Sequence, residues 1–250
     1  DARSHADKAL ALNSKNVRAQ LIKANALAGL KQFDAAVEEA QGALGLDPSD
    51  VHTYKNLAVL QYAKGDKDAA EKSFKQVVDT EPKSMEARVA LANFYWSTGK
   101  RDVAETSLKD ALTVDPNSVE VNRALAALYQ QSGRAPQAEA PLKLVAAQAK
   151  DADSMIALAD YYRTVHRDAD ALAQLDKASA DAKAFSNATT RKAPILYAQG
   201  KKSDAYAALD SVLKQDETNT TALVLKSQFL AQDGKLDEKA WIEAQPVGAF

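Results

Sequence analysis

A step of 34 residues runs through this chain in three separate markers. Pro48, Pro82 and Pro116 lie 34 apart, each preceded by an acidic residue. Ala36, Ala70, Ala104 and Ala138 keep the same step, and so do Gly65, Gly99 and Gly133. After His166 the glycine resumes at Gly200 and Gly234. Three markers in one phase require one structural unit copied along the chain. Such a unit cannot bury its apolar face alone, so its neighbours must supply the rest of the core.

Local chemistry says what the unit is. In Gly65-Asp66-Lys67-Asp68 the glycine ends one helix by taking positive φ, and an aspartate caps the amides of the next. In Asp115-Pro116-Asn117-Ser118 the proline cannot continue the outgoing helix, while Asn or Ser caps the incoming one. Each unit is therefore two helices joined by a short turn. The most regular copy, Val51 to Pro82, has Tyr54, Leu57, Ala58, Ala70, Phe74 and Pro82, with Gln61 beside Tyr62. The next has Leu91, Ala92, Tyr95, Gly99, Ala104, Leu108, Ala111 and Pro116.

In period and in these residues the chain resembles the tetratricopeptide repeat (TPR) family, over nearly its whole length and in a form that looks bacterial. Gln61 departs from the pattern, since it stands in a tyrosine slot. The resemblance implies an all-α fold: a right-handed superhelical solenoid of about six to seven antiparallel helix pairs. The phase divides 1–250, as a single solenoid, into a half repeat at 1–16, repeats at 17–50, 51–84, 85–118, 119–151, 152–185 and 186–219, and a partial or capping repeat at 220–250. The chain opens on Asp1 rather than Met, which suggests trimming or processing, with an array cut at both ends.

Three places strain the pattern. Pro141 lies inside the second helix of its repeat, where proline costs roughly 3 kcal/mol and favours a kink. Ser186-Asn187-Ala188-Thr189-Thr190 is a weak helix former, with Pro194 following inside the expected helix. Beyond Gly234 the pattern frays, with Lys239 where alanine is expected, and Trp241 and Ile242 are expected to cover the last apolar face.

Composition excludes several functions. Lys+Arg at 32 against Asp+Glu at 34 leaves no basic excess to hold a phosphate backbone, so no nucleic-acid partner is expected. With no cysteine there are neither disulfides nor thiolate metal sites. This leans toward the bacterial periplasm or another extracytoplasmic face and leaves the cytoplasm open. No apolar run approaches the length of a membrane span.

Catalytic groups do not assemble either. His5, His52 and His166 stand in different repeats without a partner at metal-ligand spacing, and Gly200-Lys201-Lys202-Ser203 lacks the first glycine of a phosphate-binding loop. Glu38-Glu39 is a solvated helix face. Asn187-Ala188-Thr189 and Asn219-Thr220-Thr221 match a glycosylation pattern too common to weigh. The reading is a non-enzyme with no cofactor and no metal.

In the resembled family the first helix of each repeat lines the concave face, and this places a partner-binding groove at Asn25, Lys55, Asn56, Tyr62, Asn93, Trp96, Arg123, Gln130 and Arg163. Arg18, Leu21, Ile22, His52, Val59, Glu86, Val89 and Glu120 flank these, and Tyr197 is expected to join them. Trp96 is the most informative, because Tyr95 fills the packing slot and leaves Trp96 turned outward. The family's carboxylate clamp for chaperone tails does not fit. Asn25 and Asn56 match it, but Leu21, Glu86 and Ala90 occupy its basic places.

The expected function is a non-catalytic scaffold that holds a peptide segment or partner helix, as part of a bacterial assembly, secretion or envelope complex. The alternatives are head-to-tail self-assembly through the terminal repeats and the non-catalytic arm of a larger enzyme such as a transferase.

Overall fold

The structure, a computed structural model, describes residues 2–235; the expectations at Lys239, Trp241 and Ile242 fall outside the described residues. Fourteen α-helices and no strand are found among the described residues. They are α1 Ala2–Leu12, α2 Val17–Gly29, α3 Phe33–Leu46, α4 Val51–Lys64, α5 Lys67–Thr80, α6 Met85–Ser97, α7 Arg101–Val114 and α8 Val119–Gln131. There follow α9 Ala135–Ala149, α10 Ala152–Thr164, α11 Asp168–Ala178, α12 Phe185–Ala198, α13 Lys202–Gln215 and α14 Thr220–Gln232. None of them is long and apolar enough to cross a membrane.

The chain forms two compact units, residues 1–125 and 126–250, divided within α8. In the first, α2 pairs with α3, α4 with α5 and α6 with α7, and each pair packs on the next through α3 against α4 and α5 against α6. In the second, α10 pairs with α11 and α12 with α13; α9 packs on α10, α11 on α12, and α14 on both α12 and α13. All-α pairing of successive helices is the fold of each unit.

The caps follow the chemistry of the turns. Gly65 takes φ +97°, and the Asp66 carboxylate accepts the Ala69 N–H at 3.0 Å. Asp50 caps α4 through the His52 and Thr53 amides, and Ser84 caps α6 through Ala87 N–H. The glycine slot holds two residues with side chains: Lys31 at φ 60° and His166 at φ 56°. Both bear a Cβ in the left-handed region, where glycine alone escapes steric cost.

The alanine step marks the tightest packing. Ala36, Ala70, Ala104, Ala138, Ala171 and Ala205 are all at 0% exposure. Around Ala36 the core adds Ala24, Leu27, Val37, Ala40, Leu57 and Leu60. In the second unit a cluster of Ala193, Ala205, Leu209, Val212, Ala222 and Phe229 plays the same part.

Two of the strained segments resolve in favour of tertiary packing. α9 stays helical through Pro141, and the weak former at 186–190 lies wholly inside α12. There Ala188, Thr189 and Thr190 are buried, and the Thr190 hydroxyl donates to the Ser186 carbonyl at 2.8 Å. Burial offsets a propensity deficit of a few tenths of a kcal/mol per residue.

Candidate functional site

In the first unit, α2, α4 and α6 present one shared face, and contacts between them fix its register. The Asn56 amide donates to Asn25 Oδ1 at 2.8 Å, and Lys55 Nζ reaches Glu86 Oε1 at 3.1 Å. Each pair is 31 residues apart, a repeat less about one helical turn, so a side chain on one helix meets the first half of the next repeat's equivalent helix. Asn56 Oδ1 is buried without a hydrogen-bond partner. Around this polar line stand exposed apolar groups: Ile22 at 43%, Val59 at 57% and Tyr62 at 38%.

The expected site residues sort by place. Asn25, Lys55, Asn56, Tyr62, Asn93 and Trp96 lie on α2, α4 and α6. Arg123, on the part of α8 that belongs to the first unit, is exposed. Gln130 and Arg163 are exposed residues of the second unit. That unit has its own pair 31 residues apart, Arg191 Nε on the Asp160 carboxylate at 3.2 Å.

The aromatics at this register have different surroundings. Tyr197 stacks its ring on Phe229 at 4.1 Å and donates its hydroxyl to Asp233 at 2.7 Å. The reason is that this register position leans on the next repeat. Tyr62 does the same in a looser form, edge-on to Phe94 at 5.7 Å, and keeps an exposed flank. Trp96 is half-buried, with the Arg101 guanidinium 5.0 Å from its ring centroid.

A second ladder, unread in the sequence, joins successive repeats through an acid, a tyrosine and a cation. Glu71 on α5 accepts from Lys100 Nζ at 2.5 Å, Lys75 Nζ at 2.8 Å and the Tyr95 hydroxyl at 3.2 Å. Glu139 on α9 accepts from Arg167 at 2.7 Å, Lys143 at 2.6 Å and the Tyr161 hydroxyl at 3.5 Å. Asp233 joins Lys202, Tyr197 and Tyr206. The cations also cover the rings: Lys100 on Tyr95, Arg134 on Tyr129 and Arg167 on Tyr162. A signal was present, since each of these cations stands five residues after its tyrosine. At the junction of α3 and α4 the same places hold Val37, Gln61 and Asp66, and Gln61 is buried with its Oε1 accepting from Ser73 at 2.7 Å.

Lys100 and then Lys75 hold the Glu71 carboxyl down from 4.5 to about 2. Its folded value lies below its unfolded one, so its stabilising effect is whole above about pH 4.5 and is lost as pH falls toward 2. Glu71→Gln is therefore expected to lower stability at pH 7, with a gap to the wild type that closes between pH 4.5 and 2. Urea unfolding across that range checks it, and a gap unchanged at pH 2 counts against the charge as its cause.

Comparison with known proteins adds an independent line. A model of the tetratricopeptide repeat matches residues 1–51, 55–118 and 190–244, well over half of the chain, and a second model of the same repeat matches 99–160. The chain belongs to the tetratricopeptide repeat family. It is 29% identical over 85 residues to the small glutamine-rich tetratricopeptide repeat-containing protein 2 of Saccharomyces cerevisiae, a match covering 30% of this chain. The chain spans about a quarter of that curated relative's length, 25%.

Among solved structures, the MamA protein aligns with a TM-score of 0.55 at 21% identity, over 67% of this chain and 92% of its own. Pseudomonas aeruginosa pilF aligns with a TM-score of 0.55 at 12% identity, over 91% and 100%. These likenesses bear on the fold. As a TPR solenoid the chain is a protein-interaction scaffold in the general sense, of a fold that is typically non-catalytic. Among the described residues no three His, Asp or Glu side chains gather where a metal ion could be held.

Proposed function

We propose that the chain binds an extended peptide segment or a partner helix, without catalysing a reaction, on the shared face of α2, α4 and α6. The observation that carries this is the composition of that face. Exposed Ile22, Val59 and Tyr62 and half-buried Trp96 offer apolar contact, while Asn25 and Asn93, two repeats apart, and Asn56 between them offer amides. Side-chain amides both donate and accept, which suits the alternating groups of a polypeptide backbone. The unpartnered acceptor of Asn56 is a group that a bound N–H would satisfy after a small rotation of the amide. Exposed aromatic side chains are enriched where binding energy concentrates.

The test is affinity capture from lysate of the source organism, comparing the wild type with Tyr62→Ala/Trp96→Ala and, separately, Asn25→Ala/Asn93→Ala. The second variant leaves the Tyr62–Phe94 contact intact, so it separates lost binding from lost packing. The expected result is a protein retained by the wild type and lost from both variants, all three showing the same helical circular dichroism. Equal retention by all three would move the binding surface elsewhere.

A further inference from the structure

The Lys55–Glu86 pair stands out on the shared face. At the register of Lys55, 34 residues to either side, the chain carries Leu21 and Val89, both half-buried. In both adjoining repeats an apolar side chain serves packing at this register, so the ammonium group of Lys55 is an addition that packing there does not require. Its side chain is 23% exposed, whereas the Glu86 side chain is 71% exposed. Glu86 lies in the first turn of α6, where the helix N-terminus favours a carboxylate whether or not a lysine is near.

The two partners are thus unequal. Glu86 can swing into water at little cost, while half-buried Lys55 loses more when left without an anion. A ligand carboxylate can take the place of Glu86, but a ligand cation would have to displace a lysine that has less room to retreat. About one and two turns further along α4 lie the exposed apolar groups of Val59 and Tyr62. The face therefore fits a segment that carries apolar side chains and carboxylates together.

We infer that Glu86 is an internal occupant of the place a ligand carboxylate takes, so that this face selects acidic, apolar polypeptide segments, with Lys55 receiving the carboxylate. This rests on the binding reading above and adds to it the sign of the ligand's charge. Glu86 sets a threshold, since any ligand must compete with a carboxylate already on site. Uncharged segments leave that pair in place and gain only the apolar contacts.

The test uses the full chain and three labelled peptides, of alternating Leu and Glu, Leu and Gln, or Leu and Lys, read by fluorescence anisotropy. The wild type is expected to bind the Leu-Glu peptide best. Glu86→Gln should tighten it by about two- to fivefold and steepen its weakening by salt, as for an exposed charge pair. Lys55→Met keeps the stem and removes the charge, so it should abolish the preference for Leu-Glu over Leu-Gln. Unchanged Leu-Glu affinity in Glu86→Gln, an equal or better fit of Leu-Lys, or no binding of any peptide would overturn the inference. If the capture experiment still depends on Tyr62 and Trp96 while Glu86→Gln changes nothing, the binding face stands and only its charge preference falls.

Discussion

Phe94→Ala is expected to lower the unfolding free energy by about 3–5 kcal/mol, the largest effect of any single substitution considered. Phe94 is 4% exposed and forms the hub of an aromatic group, 5.3 Å from Phe74, 5.7 Å from Tyr62 and 5.8 Å from Tyr95. These rings come from α4, α5 and α6, so one side chain ties a helix pair to the helix that follows it. Truncation removes the transfer free energy of the ring and leaves a hole that helices held by their own hydrogen bonds cannot close. Urea unfolding of the full chain, followed by circular dichroism, measures it. A loss under about 1 kcal/mol would mean that the neighbouring rings close over the space, well below the usual cost. Because Tyr62 leans on Phe94, the same change is also expected to loosen the candidate binding face.

Ala70→Leu is expected to destabilise by about 1–3 kcal/mol for the opposite reason, overpacking. Ala70 is at 0% exposure on α5, the helix paired with α4, and the equivalent alanines at 36 and 104 are equally buried. Three added heavy atoms must push the paired helices apart or adopt a strained rotamer. Ala70→Gly is the control: it removes bulk and costs about 1 kcal/mol through helix propensity. If Leu proves milder than Gly at this site, the alanine step is not a limit on helix approach. Thermal and urea unfolding of both variants decide it.

These two residues show how unevenly the fold was written in the sequence. The alanine step was legible because the constraint is local to each helix pair and recurs every 34 residues. The caps were legible for a similar reason: Gly65, Asp66 and Ser84 act within a few residues of themselves. Membership of the TPR family and the all-α architecture follow from such short-range chemistry, repeated.

The site was less legible, because its contacts span 24 to 36 residues and depend on which flank of a helix meets the next repeat. Tyr62, Trp96 and Tyr197 share a repeat position, yet Tyr197 is stacked on Phe229 while Tyr62 keeps 38% of its surface exposed. No local rule separates them; the residue facing each one does. Glu71 and Glu86 are both glutamates near a lysine, but one is held by three donors and the other faces solvent with a single partner.

The sequence by itself determined the repeat, the helix pairs, their turns and the family, since these rest on backbone conformation and apolar periodicity. Only the tertiary structure decided which exposed aromatics stay available and which charges are already neutralised. It also decided that residues 186–190 form helix against their own propensity. Those outcomes depend on free energies of burial and pairing between residues far apart in the chain, and such terms exist only once the helices have packed.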